Sequence, residues 1–337
     1  MQDLILNNYT ESSLLNKVFS EEHLFLAAKR ALLGKLNRPR FFDYYQKLGV
    51  NLYNLRQSLL NGSYYPLPTK EFDLWCISGQ KMRHINVPAL NDLVVQHAIY
   101  PLLYKAINPK LIFDSYGCRK EKGTSKAANR CQQFLRQSSK DSYFLQLDIR
   151  KYYYNIDHTL VKQSLLHLLP DSPFIDFVFL QFPQNQVIGM HVGTLLAQVM
   201  GIVYLNPLDH YIKRVLKCQR YIRYVDDLVI LGETKEHCWE LKEQIESFLR
   251  INLKLELSKY KVHPIRKGVN FVGFKTWQEK RVIRKRSIHV FNKALKEGHV
   301  PSLQSCLAHT LNTSSYTQMK NKIEAKGYVV DGCRVFL

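Results

Sequence analysis

The stretch that most constrains this chain is residues 220–232, where two apolar runs flank the adjacent carboxylates of Asp226 and Asp227. The pattern predicts one strand over residues 221–224 and another over 228–231, with both acids at the tip of the hairpin. Adjacent aspartates between apolar strands are costly unless a cation lies against them, and hard oxygen ligands suit Mg²⁺ or Mn²⁺. An exposed hairpin with ordinary acidic turn residues is the alternative.

The charge balance of the chain favours a polyanionic partner. Of 337 residues, 48 are Lys or Arg and 28 are Asp or Glu, which gives a net charge of +20. Such a surplus fits a nucleic-acid backbone, whereas no run of about 18 apolar residues suggests a membrane span. The N-terminus lacks the pattern of a signal peptide. The seven scattered cysteines contain no C-x-x-C pair, which favours a reducing compartment.

A third carboxylate ends another apolar segment. Residues 143–149 predict a buried strand that carries Asp148 at its end. If the hairpin lies beside this strand, three carboxylates converge, and cations are needed for all three to stay ionised. Two divalent ions would also serve phosphoryl transfer. By contrast, Asp157 directly precedes the helical pattern of residues 158–168, so we expect it to cap that helix.

Basic residues occur where phosphates would be held. Lys81 and Arg83 are two residues apart and share one face of a predicted strand, which suits a triphosphate, although a solvated cationic strand is the alternative. Arg119 and Lys122 lie in a glycine-punctuated loop before a helix, where a phosphate contact is favoured. The basic run 280–286 continues as a helix to about residue 296 and indicates a nucleic-acid grip, with a solvated face as the alternative.

Three further segments complete the pattern. Gly193 permits close approach of a backbone to a ligand, and Gln198 is a polar residue on an apolar helix, with a satisfied buried amide as the alternative. Pro207 is expected to break that helix. We expect residues 253–257 to pair with residues 259–263 and residues 268–274 to form a short strand.

In this order, the segments resemble the palm of reverse transcriptases. Motif A is matched by residues 147–153 (L-D-I-R-K-Y-Y), motif B by 193–198, motif C by 224–227 (Y-V-D-D), motif D by Lys261 and motif E by 271–274 (F-V-G-F). The resemblance extends over residues 63–337 and implies an α+β right-hand polymerase with fingers, a palm with an antiparallel sheet and a helical thumb. The implied domains are an N-terminal helical extension 1–62, fingers 63–142, palm 143–275, with part of 158–190 packing with the fingers, and thumb 276–337.

The resemblance also implies roles for single residues. Asp148 and Asp226 would bind two Mg²⁺ ions, with Mn²⁺ as the alternative, while Asp227 and the Ile149 carbonyl assist. The incoming nucleotide would contact Lys81, Arg83, Tyr153, Gly193 and Gln198. Tyr153 would act as the steric gate that excludes a 2′-hydroxyl, and Lys261 would protonate the pyrophosphate leaving group. Template and primer would contact Arg119, Lys122, Phe271, Gly273, Arg284, Lys285 and Arg286.

Residues 204–210, and residues 268–274 ahead of 284–287, resemble reverse transcriptases of diversity-generating retroelements. This implies template RNA, primer or cDNA and dNTPs as ligands, errors at template adenines, a small basic accessory protein, no membrane, and the cytoplasm of a bacterial or phage-infected cell. Ala197 departs from the serine usual in that family. Val192 replaces a glutamine of high-fidelity relatives, which predicts weaker rejection of mispairs. The alternatives are a bacterial defence or abortive-infection reverse transcriptase and an inactive RNA-binding palm, which the intact acids disfavour.

Overall fold

The computed structural model of the protein describes residues 12–76 and 81–336, without the side chains of Cys76 and Lys81. The helices are α1 Ser13–Val18, α2 Glu21–Leu32, α3 Pro39–Gln46, α4 Leu48–Leu60, α5 Leu90–Ile107, α6 Gly123–Arg136, α7 His158–Leu168, α8 Ser172–Leu180, α9 Leu195–Tyr204, α10 Asn206–His210, α11 Lys235–Leu253, α12 Lys285–Glu297, α13 Val300–Thr310 and α14 Tyr316–Glu324. The strands are β1 Lys70–Cys76, β2 Lys81–Val87, β3 Tyr143–Ile149, β4 Tyr221–Tyr224, β5 Asp227–Gly232, β6 Leu257–Pro264, β7 Val269–Phe271, β8 Phe274–Thr276, β9 Arg281–Ile283, β10 Val329–Asp331 and β11 Arg334–Phe336.

Local sequence signals set several of these boundaries. The Asp157 carboxylate accepts hydrogen bonds from the backbone N–H groups of Thr159 and Leu160, which confirms the predicted cap of α7. The break before Pro207 is also confirmed, because α9 ends at Tyr204 and α10 begins at Asn206. Helices occupy most of the described part of the predicted N-terminal extension, while residues 1–11 lie outside the described residues.

The central sheet is antiparallel and has the strand order β4-β5-β3-β6. Its middle strand β3 is the predicted buried strand 143–149, and it pairs with the Asp–Asp hairpin on one side. Strand register places Asp148 directly opposite Asp227. The condition for convergence, a hairpin beside the strand of residues 143–149, is thus met for Asp148 and Asp227.

One predicted pairing is wrong. Residues 253–257 do not pair with 259–263; instead β6 is a single strand that covers the other edge of β3. The reason is that β3 is buried and needs a partner for its second edge, and this non-local pairing satisfies its backbone groups. Likewise residues 268–274 form a hairpin of β7 and β8 rather than one strand, and β9 extends that sheet.

The chain divides into two compact units. Among the described residues, the first contains 12–76, 81–112, 151–207 and 252–255, and the second contains 113–150, 208–251 and 256–336. In the second unit, α12 to α14 and the β10–β11 hairpin surround their own buried apolar cluster, in keeping with the expected helical end of the chain. No helix among the described residues has the length and apolar run needed to cross a membrane. The division into fingers, palm and thumb stays a prediction.

Candidate active site

The acid turn, defined here as Val225 and Asp226, joins β4 to β5 in the second unit. Tyr224 and Asp227 pair across it, so Asp227 is the first residue of β5 rather than part of the turn. Val225 has a φ of 57°, in the left-handed region that a β-branched residue rarely occupies. Such backbone persists only where surrounding contacts determine it, so the contacts of this turn are informative.

A buried ion pair holds the acid turn. Arg223 is fully buried and forms a two-pronged salt bridge with Asp209, with Nε 2.7 Å from Oδ1 and Nη2 2.5 Å from Oδ2. The Tyr221 hydroxyl donates to the same carboxylate at 2.7 Å. The remaining terminal nitrogen, Nη1, donates to the Val225 carbonyl at 2.9 Å. The guanidinium therefore fixes the turn one residue before Asp226.

A second contact comes from the segment that follows Asp114. Backbone hydrogen bonds join Arg223 N–H to the Asp114 carbonyl at 3.0 Å and Tyr116 N–H to the Arg223 carbonyl at 2.9 Å. A Cβ atom on Gly117 would lie 2.5 Å from Val225 Cγ2 and 2.7 Å from its backbone nitrogen. Only glycine fits at this position without displacing the turn.

The Asp227 carboxylate is half-buried and hydrogen-bonded to a neighbouring side chain. Its Oδ1 accepts a hydrogen bond of 2.9 Å from Gln146 Nε2, which also donates to the Asn270 carbonyl. Burial raises the pKa of Asp227 to about 7, and the charges of Asp148 and Asp226 act in the same direction, although Gln146 and Arg284 oppose them. A nearby cation would offset the repulsion from the two neighbouring acids and favour the ionised form.

Asp148 is positioned from the neighbouring strand. The Ser258 hydroxyl on β6 donates to Asp148 Oδ2 at 2.5 Å and lies 3.2 Å from the Asp148 carbonyl. Sequence reasoning missed both Ser258 and Gln146. Gln146 could have been found, because it lies two residues before Asp148 and therefore shares its strand face. Ser258 could not, since its position depends on the non-local pairing of β6.

A cleft of about 180 Å³ opens beside these acids within the second unit. It brings the predicted Lys261 and Arg284 to the same site as Asp148 and Asp227. The Arg284 guanidinium lies 3.4 Å from the Asn270 carbonyl, and burial lowers its pKa. The residues lining the cleft are Gln146, Leu147, Asp148, Asp227, Lys259, Tyr260, Lys261, Asn270 and Arg284.

The glycine turn, defined as Val272 and Gly273, joins β7 to β8 within predicted motif E. Both residues have positive φ, 45° and 95°. A Cβ on Gly273 would lie 3.2 Å from the ring of His309, which itself stacks on Phe274 with centroids 4.5 Å apart. The Phe271 side chain is 1% exposed, so a primer contact from this residue would come from its backbone.

The first unit assembles residues predicted to contact the nucleotide. The Asn86 N–H donates to the Val192 carbonyl at 2.9 Å, and a Cβ on Gly193 would lie 3.0 Å from Ile85 Cγ2. Strand β2, which carries the exposed Arg83, is therefore hydrogen-bonded to the backbone directly before Gly193. The Lys81 side chain lies outside the described residues.

Two other residues predicted to bind the nucleotide, Tyr153 and Gln198, involve helix α9. The Tyr153 ring lies against Gly201, one helical turn after Gln198. Gln198 is exposed, so the alternative of a buried amide is wrong, whereas Ala197 is 1% exposed. The exposed Gln198 amide is available to a ligand.

The predicted phosphate contacts of the loop near Arg119 already have partners within the protein. Arg119 donates to the Ser115 carbonyl at 2.9 Å. Lys122 donates to the Phe113 carbonyl at 2.8 Å, and its Nζ lies 3.4 Å from the Phe113 ring centroid. Lys285 is exposed and Arg286 half-buried at the start of α12. Contacts of these four residues with nucleic acid stay predictions.

The donors at the acids suit a divalent cation. Carboxylate oxygens of Asp148 and Asp227 face one cleft, and Asp226 adjoins Asp227. Within residues 12–76 and 81–336, no three His, Cys, Asp or Glu side chains form a preassembled metal-binding group. This arrangement is compatible with Mg²⁺, which in phosphoryl-transfer sites binds one or two carboxylates together with substrate phosphates rather than an all-protein cage.

Comparison with known proteins gives a family match and several relatives. The model of the family "Reverse transcriptase (RNA-dependent DNA polymerase)" matches residues 77–276, more than half of the chain. Protein YkfC of Escherichia coli K12 is 24% identical over 286 residues, covering 72% of this chain and 73% of the relative. Group II intron-encoded protein LtrA of Lactococcus lactis is 23% identical, covering 61% of this chain but only 46% of the relative.

Solved structures support the same fold. Apo telomerase from Candida tropicalis has a TM-score of 0.50 at 12% identity, covering 95% of this chain and 75% of that one. Telomerase from Candida albicans, in complex with a fragment of telomeric RNA, has a TM-score of 0.50 at 11% identity, covering 84% of this chain and 61% of that one. With the antiparallel sheets and helices described above, these likenesses confirm the predicted α+β polymerase fold.

Proposed function

Because this chain belongs to the reverse transcriptase family of RNA-dependent DNA polymerases, we propose that it copies template RNA into cDNA by adding dNTPs to a primer 3′-end. The family match makes it an enzyme of the nucleotidyltransferase class. The observation that carries the proposal is the register of the central sheet. It places Asp148 opposite Asp227, and Asp226 directly precedes Asp227 in the chain. Lys261 and Arg284 on the same cleft add the positive charge that a phosphate substrate requires.

Two Mg²⁺ ions, or Mn²⁺ in their place, would be held by Asp148, Asp226 and Asp227, with the Ile149 carbonyl assisting. Bound there, such ions would activate the primer hydroxyl and stabilise the charge of the leaving pyrophosphate. Gln146 and Ser258 keep the carboxylates oriented through the hydrogen bonds described above. We propose a more direct role for Asp227 than the resemblance implies, because Asp227 lies opposite Asp148 in the sheet.

The remaining residues would bind substrates or transfer protons. Arg83, with Lys81, would hold the triphosphate, and Tyr153 would lie under the sugar and exclude ribonucleotides. Lys261 would protonate the pyrophosphate, which is supported by its place on the cleft of the acids. Arg284 and the backbone of the glycine turn would hold the primer end.

The wider assignments follow the same proposal. Arg119, Lys122, Lys285 and Arg286 would contact the nucleic-acid backbone. The fingers would comprise residues 63–142, the palm 143–275 and the thumb 276–337, after an N-terminal extension. The chain would act in the cytoplasm of a bacterial or phage-infected cell.

Primer extension on poly(rA)/oligo(dT) with Mg²⁺ tests the polymerase activity. We expect dTTP incorporation by the wild type and its loss in Asp226→Asn. Asp331→Asn, an exposed change on β10, is the matched control and should keep full activity. The proposal fails if the wild type incorporates nothing, as an inactive RNA-binding palm would, or if Asp226→Asn remains active.

We further propose that the enzyme serves a diversity-generating retroelement, with a small basic accessory protein as partner. The support is the sequence resemblance in residues 204–210 and 268–287, together with apolar Val192 beside Gly193. Sequencing of cDNA made on the native upstream RNA should show errors concentrated at template adenines, and Val192→Gln should reduce them. Errors spread evenly over all four bases, or unchanged by Val192→Gln, would contradict this role and favour a defence reverse transcriptase.

A further inference from the structure

The contact between Tyr153 and α9 is unusually close. A Cβ atom on Gly201 would lie 2.8 Å from Tyr153 Cε1 and 3.0 Å from both Cζ and the hydroxyl oxygen. Side-chain carbons do not approach each other so closely, so the ring can occupy this place only above a residue without a side chain. Gly201 lies within the helix and needs no unusual backbone angle, so the close approach is the reason for a glycine here.

The preceding tyrosine contacts the same residue. The Tyr152 hydroxyl donates to the Gly201 carbonyl at 2.5 Å, and the Tyr152 side chain is 2% exposed. The rings of Tyr152 and Tyr153 lie 5.4 Å apart. Two successive aromatic residues thus use Gly201 as a common support, one through a hydrogen bond and one through ring contact.

The main chain on both sides of this contact is held in place. The helix around Gly201 is buried, with Met200 at 0% and Ile202 at 2% exposed. The backbone of Tyr153 is held by the Met190 N–H, which donates to its carbonyl at 2.8 Å. A side chain added at Gly201 would therefore turn the Tyr153 ring away from the helix, while the main chain stays in place.

We propose that Gly201, with Tyr152, is a specificity-determining support that sets the height of the Tyr153 ring under the nucleotide sugar. The inference rests on the assignment of Tyr153 as the sugar gate. A raised ring narrows the space for the sugar of a deoxynucleotide and excludes a 2′-hydroxyl even more strongly. Gly201 acts through Tyr153 and is a positioning residue, not a catalytic one.

Steady-state primer extension with dTTP and with UTP on poly(rA)/oligo(dT) tests this, using the full chain. We expect Gly201→Ala to raise the KM for dTTP about tenfold while kcat changes less than about twofold. Tyr152→Phe, which loses only the hydrogen bond, should raise the same KM about threefold. Gly49→Ala in α4 is the matched control, because a Cβ there has nothing within 4 Å.

A double-mutant cycle separates positioning from a general structural effect. Tyr153→Ala removes the ring, so adding Gly201→Ala to it should leave the KM for dTTP within about twofold of the single Tyr153→Ala variant. The inference would be overturned if Gly201→Ala raised the KM for dTTP by the same factor with and without Tyr153→Ala. It would also be overturned if Gly201→Ala left the KM unchanged in the wild-type background. If Gly201→Ala does not fold, the same double-mutant cycle is measured with Tyr152→Phe in place of Gly201→Ala.

The result distinguishes three failures. A wild type without dTTP incorporation contradicts the polymerase proposal. Incorporation with normal UTP exclusion in Tyr153→Ala contradicts the gate assignment and, with it, the inference. Relaxed UTP exclusion in Tyr153→Ala, combined with wild-type kinetics in Gly201→Ala and Tyr152→Phe, contradicts the role of Gly201 alone.

Discussion

The acid turn and the glycine turn solve the same backbone problem by different means. Each is a two-residue connection between antiparallel strands, and each begins with a valine at positive φ, 57° at Val225 and 45° at Val272. In hairpin turns such angles normally favour Gly, Asn or Asp. In both turns, therefore, tertiary contacts must offset the local preference of valine.

The contacts differ in kind. A buried ion pair and a close glycine hold Val225, whereas Val272 packs against two apolar clusters. An ion pair gains little net stability over apolar packing, but its hydrogen bonds define one geometry. The turn that carries the proposed catalytic carboxylate is thus fixed by directional bonds, and the turn proposed to support the primer is fixed by packing.

The largest expected difference concerns stability. Asp209→Ala leaves the Arg223 charge buried without its carboxylate and should lower the free energy of unfolding by about 3–5 kcal/mol. Val272→Ala removes two methyl groups from a half-buried site and should cost about 1 kcal/mol. Urea unfolding measures both, and similar losses in the two variants would contradict the distinction between the turns.

The next comparison concerns catalysis. Gly117→Ala places a Cβ 2.5 Å from Val225 Cγ2 and must shift the acid turn, so kcat should fall about a hundredfold. Gly273→Ala places a side chain at a φ of 95° and 3.2 Å from the ring of His309, so it should displace the glycine turn and weaken primer binding, with a smaller change in kcat. Single-turnover extension and primer titration separate these effects. The same loss of kcat in both variants would show that the turns have one role.

A smaller effect is expected at the hydrogen bonds to the acids. Ser258→Ala and Gln146→Ala each remove one donor to a carboxylate and should raise the Mg²⁺ concentration for half-maximal activity about tenfold. Ser139→Ala, an exposed serine outside the cleft, is the control. If neither Ser258→Ala nor Gln146→Ala alters the Mg²⁺ requirement, these residues do not position metal ligands.

The smallest effect is a pH dependence. Burial raises the pKa of Asp227 to about 7, so without metal the folded protein holds a proton there that the unfolded chain has released above pH 4. The contribution of Asp227 to stability should therefore decrease as pH rises from about 4 to 7. In EDTA, the melting temperature of Asp227→Asn minus that of the wild type should increase by a few degrees as pH rises over this range. A constant difference would contradict the raised pKa.

Local patterning predicted the elements of the site but not their supports. The apolar run 143–149, the cap at Asp157 and the strands around the acids could be deduced because their signals lie within a few residues. The pairing of β6 with β3 depends on which edge is free after folding, so Ser258 and its bond to Asp148 could not be deduced. The same holds for Arg223 and Asp209, which are 14 positions apart.

The surroundings of two predicted site residues depend on tertiary contacts. The apolar helix around Gln198 allows a buried amide as the alternative, yet the side chain is exposed. The phosphate contact of Lys122 stays a prediction, and the structure adds that its ammonium lies on the Phe113 ring. Sequence periodicity gives the face of an element and its type, whereas exposure and pairing depend on what the rest of the chain brings to that face.

Metal-directed cleavage tests the central claim most directly. With Fe²⁺ replacing Mg²⁺ in a complex of the full chain, primer-template and dNTP, ascorbate and peroxide generate radicals that cut the backbone beside the bound ion. We expect cuts near Asp148 and near residues 225–227, lost with excess Mg²⁺ and in Asp148→Asn. Cuts elsewhere, or cuts at these positions that persist in Asp148→Asn, would show that the paired acids do not hold the catalytic metal.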